Sequence, residues 1–273
     1  MKKLVFTLAT CCIMCACEQK TETNPFFTEF RTEYGAPDFD KIKIEHYEPA
    51  FLKGIEEQNA EIKAIVESRE TPGFENTIVA LDNSGRTLAR VKGVFYALTE
   101  ADTNDEMSAL SEKIAPVLSE HNDNIYLNQD LYKRVAAVWQ QEQEGKITLT
   151  TEQHRLLDRY HKAFIRSGAG LDTGKQNRLR EINKELSTLA ITFSNHVLNE
   201  NNAYRLVIDN EAELAGLPEW VKTGAAEEAK AVGKEGKWLF TLQNSSRLPL
   251  LQYADNRELR KDIYEAYINR GNN

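Results

Sequence analysis

Hydrophobic residues recur every three or four positions along most of this chain, which is the spacing of one face of an α-helix. The pattern predicts helices over residues 46–66, 77–98, 105–118, 125–143, 151–167, 175–199, 218–232 and 257–269. In the second of these helices, Ser84 and Gly85 leave room for the close approach of another helix. In the last, Leu259, Ile263, Tyr264 and Tyr267 are predicted to face inward.

The longest predicted helix carries a hydrophobic seam, whose members are Leu179, Ile182, Leu186, Leu189, Phe193 and Val197. This spacing of threes and fours predicts antiparallel packing against another long helix. Thr150 and Gln153 have the spacing of a capping box at a helix start, and residues 168–170 (Gly-Ala-Gly) read as a helix stop. Residues 204–209 and 237–242 are rich in aromatic and β-branched side chains and predict two strands. The fold class is therefore all-α, a multi-helix antiparallel body with a minor two-stranded β element near residues 204–242.

The first residues predict an export signal. Two lysines precede an apolar run over residues 4–16, and the chain turns polar directly afterwards. A membrane-spanning helix needs about 20 apolar residues, so this run fits a signal peptide over residues 1–16 better. A small residue before Cys17 resembles the lipobox of bacterial lipoproteins, and an ordinary small-residue cleavage site is the alternative. We expect lipid attachment at Cys17, a polar tether over residues 17–25, and an exported chain anchored to a membrane at the periplasmic face or cell surface.

Charge and cysteine content exclude several function classes. The formal net charge is −8, which does not suit nucleic acid, whose binding depends on basic patches. The only cysteines are Cys11, Cys12, Cys15 and Cys17. No disulfide, thiolate nucleophile or cysteine-ligated metal is then expected in the body of the protein.

The sequence offers few candidates for catalysis. No His-Glu-x-x-His motif is present, and His154, Asp158 and His161 are the nearest approach to a metal-ligand set on one helix face. They span about 10 Å of helix, too far for one tetrahedral ion, so a solvated or partly buried face is the favoured interpretation. Glu120 and His121 are adjacent and do not face each other, which favours a packing histidine. From the residues alone, no catalytic residue and no metal ligand is assigned.

Several segments resemble one family. They are residues 24–27 (Asn-Pro-Phe-Phe), 37–42, 46–51, 74–78, 121–128, 216–219, 238–242 and 253–260. In this order they resemble the thimet-oligopeptidase-like zinc peptidases, and among them most closely the bacterial peptidyl-dipeptidases. The resemblance covers essentially the whole chain after the signal.

The resemblance implies a zinc enzyme with a largely helical body and a deep channel, which removes C-terminal dipeptides from short peptides. In that family the zinc and the catalytic residues belong to the C-terminal half. Residues 26–273 are therefore expected to form a helical N-terminal part that binds no zinc itself and lacks its catalytic domain. One hypothesis is the channel-wall portion of such a peptidase; the other is a non-catalytic peptide-binding lipoprotein. A wall built to face a missing domain should expose apolar surface.

Overall fold

Helices make up most of the fold, and the computed structural model describes residues 24–272. Cys17 and the predicted signal peptide lie outside this range, as does most of the predicted tether. The elements are α1 (Tyr47–Glu67), α2 (Ala80–Asp82), α3 (Arg86–Ala101), α4 (Asp105–Tyr126), α5 (Gln129–Gln143), α6 (Thr151–Arg166), α7 (Thr173–Ala203), β1 (Leu206–Ile208), α8 (Glu219–Ala231), β2 (Trp238–Phe240), α9 (Asn244–Tyr253) and α10 (Arg257–Ile268). Strands β1 and β2 pair antiparallel, with Val207 opposite Leu239. The predicted fold class is confirmed.

Polar side chains cap the helices where the sequence contains capping signals. Thr150 accepts a hydrogen bond from the Gln153 amide, and the Gln153 side chain accepts one from the Thr150 amide, so the predicted capping box is present. The side chains of Asn104 and Asp172 cap α4 and α7, each by accepting one hydrogen bond from the amide three residues further on. The predicted stop after α6 is also present, because Gly168 has a φ of +91°, a conformation that favours glycine.

Residues 77–98 do not form the single predicted helix. A π-helical turn (Phe74–Val79) runs into α2, and the chain then breaks before α3 begins at Arg86. Gly85 makes this break with a φ of +72°, and a Cβ there would lie 2.4 Å from Gln58 Cδ. The close approach expected at Gly85 is therefore real. The hydrophobic pattern missed the break because one left-handed residue turns the chain without changing which residues are apolar.

Within the described range, buried hydrophobic side chains form three clusters. The first joins α1, α5 and α6 and includes Ile62, Ile78, Leu131, Val135, Leu157 and Phe164. The second joins the first turn of the structure to α1, α3 and α4 and includes Phe26, Tyr47, Phe51, Val91, Phe95 and Ile114. The third joins the sheet to α8, α9 and α10 and includes Ile208, Leu214, Phe240, Leu250 and Ile263. Helix α7 leads from the first two clusters to the third.

Two predictions for the C-terminal elements need correction. Tyr264 is 52% exposed, whereas Leu259 and Ile263 are buried as expected. Neighbouring helix residues point about 100° apart, so Tyr264 cannot share the inward direction of Ile263. Helix α9 is absent from the prediction, because its Ser-Ser and Pro249 resemble a loop rather than a helix. Across residues 24–272, no helix has both the length and the apolar character needed to cross a bilayer.

Candidate functional site

Helix α7 packs antiparallel on α4, as predicted. Three hydrogen bonds record the direction: Arg180 to Asn124, Asn183 to Asp123, and Asn195 to Glu112. The partners on α4 move backwards along the chain as those on α7 advance. Helices α4 and α7 therefore lie side by side, and their outward-facing residues form one surface.

The predicted seam of α7 is only partly covered. Leu186, Leu189 and Phe193 are 56%, 54% and 56% exposed, so the prediction that they pack against a helix is wrong for these three. Polar pairs such as Asn183–Asp123 occupy the α4–α7 contact instead, which turns the three apolar side chains outward. We call Leu186, Leu189 and Phe193 the α7 apolar stripe. Exposed apolar residues in a row mark an interaction surface more often than scattered ones do.

The three candidate ligands on α6 are each held by a different partner. His154 Nδ1 lies 2.7 Å from Glu142 Oε1, and Asp158 Oδ2 lies 2.7 Å from Lys162 Nζ. The His161 ring stacks on Trp139 at 4.6 Å between centroids, with 9° between the planes. Burial lowers the pKa of His161, and the hydrogen bond from Lys162 lowers the pKa of Asp158.

These residues do not fit a zinc ion. A stacked imidazole and two side chains bonded elsewhere do not offer one tetrahedral ligand set. Elsewhere in the part of the chain that the structure describes, no group of three or more histidine, cysteine or acidic residues is placed to hold a metal.

The second candidate pair does not act together, because Glu120 is exposed and His121 is buried. His121 is buried, and its Nε2 lies 2.7 Å from Gln58 Oε1, while Gln58 Nε2 donates to Ser84 Oγ. Because the Gln58 amide nitrogen donates to Ser84, its oxygen accepts from the histidine, and the buried Nδ1 is left without a partner. Burial, and then the charge of Lys92, lower the pKa of His121. His121 therefore packs as a neutral residue.

A buried carboxyl on α4 is the feature that the sequence analysis missed. Asp123 is 5% exposed, its Oδ1 accepts from Asn183 Nδ2 at 2.8 Å, and burial raises its pKa. It lines a cleft of about 530 Å³ between α4, the end of α6 and α7. We call this the α4–α7 cleft; it also contains Asn122, Arg166, Asn183 and Leu186. Its far end reaches the α7 apolar stripe, because Leu186 belongs to both.

Two joints of the fold involve segments that carry the family resemblance, through Asn76 and through Gly216. Arg134, which is buried, donates to the carbonyls of Ser68 and Glu70 and to Asn76, fixing the turn before α2. A Cβ on Gly216 would lie 2.3 Å from the carbonyl oxygen of Tyr253, so the loop before α8 and the end of α9 need this glycine to meet. These contacts maintain the scaffold.

Comparison with known proteins identifies relatives among the peptidases. No protein-family model matches the chain. Dipeptidyl carboxypeptidase of Escherichia coli (strain K12) is 39% identical over 246 residues, which are 90% of this chain and 36% of that protein. Oligopeptidase A of Salmonella typhimurium is 33% identical over 248 residues, 91% of this chain and 35% of that protein. Saccharolysin of Saccharomyces cerevisiae is 24% identical over 203 residues, 74% of this chain and 28% of that protein. The chain thus spans about a third of the length of these curated relatives.

Proposed function

We propose that this chain, which is homologous over nine tenths of its length to peptidases of the thimet oligopeptidase family, is the N-terminal, channel-wall portion of an exported zinc metallopeptidase. The whole enzyme removes C-terminal dipeptides from short oligopeptides. The chain alone is inactive and depends on a C-terminal catalytic domain for zinc. The observation that carries the proposal is the 39% identity to a dipeptidyl carboxypeptidase over a segment that makes up 36% of it.

The α7 apolar stripe supports this proposal. The stripe presents three large apolar side chains that are each more than half exposed. A channel wall that packs against another domain is expected to expose such a surface when that domain is not bound. Burying a leucine or phenylalanine side chain stabilises an interface by about 1.5–3 kcal/mol. In this proposal the catalytic domain covers the stripe, and these side chains contribute to holding the two parts together.

The donor set of the chain is consistent with a zinc site located elsewhere. The sequence has no His-Glu-x-x-His motif, and His154, Asp158 and His161 are each held by another partner. The zinc, when bound by the catalytic domain, supplies an activated water. The residues described here restrict access to that centre and contact the peptide; they move no proton.

Export and anchoring are part of the proposal. Cys17 carries the lipid after the signal of residues 1–16 is removed, and two or more acyl chains hold the protein on a membrane. We expect the chain to incorporate radiolabelled palmitate and to sediment with membranes in a bacterial host. Cys17→Ala should abolish both; labelling that survives this substitution would contradict lipidation at Cys17.

A chimeric enzyme tests the proposed function. The segment of E. coli dipeptidyl carboxypeptidase that this chain matches is replaced by the chain itself, and release of dipeptides from a short peptide is measured. We expect zinc-dependent activity. Leu189→Glu, in the stripe, should abolish this activity. Leu52 of α1 is 50% exposed and lies outside the stripe, so Leu52→Glu should leave the activity intact.

The alternative function is a non-catalytic peptide-binding lipoprotein, and the α4–α7 cleft is the observation that favours it. This alternative predicts a folded chimera without peptidase activity, in which Leu189→Glu and Leu52→Glu behave alike.

A further inference from the structure

The α4–α7 cleft has the size of a binding site for a small molecule. Its volume of about 530 Å³ lies within the range of ligand pockets, about 300–1,000 Å³. Leu179 and Leu186 supply apolar surface, and Asn122 and Asn183 supply amide donors and acceptors. Mixed apolar and amide surface of this kind suits a ligand with its own peptide group.

One charged group of the cleft is the Asp123 carboxyl. It is 5% exposed, and Asn183 is the donor to its Oδ1. In the range 24–272 no donor is hydrogen-bonded to the second oxygen, Oδ2. Arg180, which donates to Asn124 at 2.9 Å, also acts on Asp123: its positive charge lowers the pKa of the carboxyl, against the larger effect of burial, which raises it. A buried carboxylate stays charged most readily beside a positive group, so an ammonium ion fits this position.

The second charged group is Arg166, the last residue of α6. It is exposed, and among the described residues it forms no ion pair or side-chain hydrogen bond. An exposed guanidinium without such a partner can donate two parallel hydrogen bonds to a carboxylate. The cleft thus offers one anion, from α4, and one cation, from the end of α6.

This combination excludes simpler ligands. A phosphate would meet the Asp123 carboxyl, and among the described residues no group of three or more histidine, cysteine or acidic side chains is placed to hold a metal ion. A molecule with an ammonium at one end and a carboxylate at the other satisfies both groups. A short peptide with free termini is such a molecule.

We propose that the α4–α7 cleft binds a dipeptide with free termini, its ammonium on Asp123, its carboxylate on Arg166 and its peptide group on Asn122 and Asn183. The choice of a dipeptide rests on the proposed function, because dipeptides are what the whole enzyme releases. The cleft then retains a released dipeptide.

Titration of the purified chain with glycyl-leucine, followed by NMR of the side-chain amides, tests the proposal. We expect saturable shifts at Asn122 and Asn183. N-acetylglycyl-leucine and glycyl-leucinamide, which each lack one terminal charge, should bind about tenfold more weakly.

Matched variants locate the site. Arg166→Gln and Asp123→Asn should each weaken binding about tenfold, while Arg155→Gln, an exposed arginine on the same helix outside the cleft, should not. Arg166 is exposed, so its substitution leaves the fold intact even if Asp123→Asn does not. Equal binding of the capped peptides, or no effect of Arg166→Gln, would overturn the proposal. Dipeptide binding is measured on the chain alone, whereas the proposed function is tested by the activity of the chimeric enzyme. A failure of one experiment therefore does not decide the outcome of the other.

Discussion

Helices α1 and α3 meet at a glycine, and this contact gives a quantitative test of the structure. A Cβ on Gly54 would lie 2.8 Å from both the Cα and the backbone nitrogen of Leu88. Both atoms belong to the backbone of α3, so no side chain can rotate away. In Gly54→Ala the two helices must separate, which loosens the second hydrophobic cluster between them.

Two opposing effects set the size of the change. Alanine is favoured over glycine inside a helix by about 1 kcal/mol. Overpacking a tight contact costs about 1–3 kcal/mol. Gly93 provides a matched control, because it also lies within a helix but a Cβ there would have nothing within 4 Å. We expect Gly93→Ala to raise the free energy of unfolding by up to about 1 kcal/mol.

The difference between the two variants isolates the packing cost. Helix propensity cancels between them, so Gly54→Ala should be less stable than Gly93→Ala by about 1–3 kcal/mol. Urea unfolding followed by circular dichroism measures this difference, and the melting temperatures should differ by about 2–4 °C per kcal/mol. If Gly54→Ala is as stable as Gly93→Ala, then α1 and α3 do not pack as closely as described here.

Three further predictions concern stability. Burial lowers the pKa of His121 in the folded protein, so as pH falls below the ordinary value of 6.5 the unfolded chain takes up a proton before the folded chain does. The free energy of unfolding therefore keeps its full value above pH 6.5 and decreases towards lower pH. Urea unfolding as a function of pH should show this loss, and His121→Gln should remove part of it; an unchanged pH profile would contradict a buried neutral histidine. Phe164 is fully buried beside Tyr126 and Tyr132, so Phe164→Ala should cost about 3–5 kcal/mol in the same assay. Leu189→Gln, in the α7 apolar stripe, should change stability by less than about 0.5 kcal/mol, and a large loss would mean that the stripe is covered within the chain.

Much of the fold could be predicted from local pattern. Helical periodicity, the capping box at Thr150 and the alternation around Val207 and Leu239 act over a few residues, and the structure contains the elements that they predict, except the single helix over residues 77–98. The break at Gly85 could not be predicted in the same way. A left-handed glycine leaves the order of apolar and polar residues unchanged, so the periodicity continues through it.

The candidate site depended on contacts between distant residues. Asp123 and Asn183 are 60 positions apart, and neither carries a local signal of the other. The spacing of Leu186, Leu189 and Phe193 marked an apolar face of α7, but periodicity does not show whether a neighbour covers that face. The candidate ligands on α6, in contrast, could be judged from the sequence, because their spacing along one helix is too long for one ion.

We propose that this chain is a peptidase wall that requires a separate catalytic domain. The most direct measurement incubates the purified chain with zinc and a short peptide and follows dipeptide release by mass spectrometry. The E. coli dipeptidyl carboxypeptidase serves as positive control, and a metal chelator is added in a parallel sample. We expect no dipeptide from the chain alone. Zinc-dependent release of C-terminal dipeptides by this chain, abolished by the chelator, would contradict it.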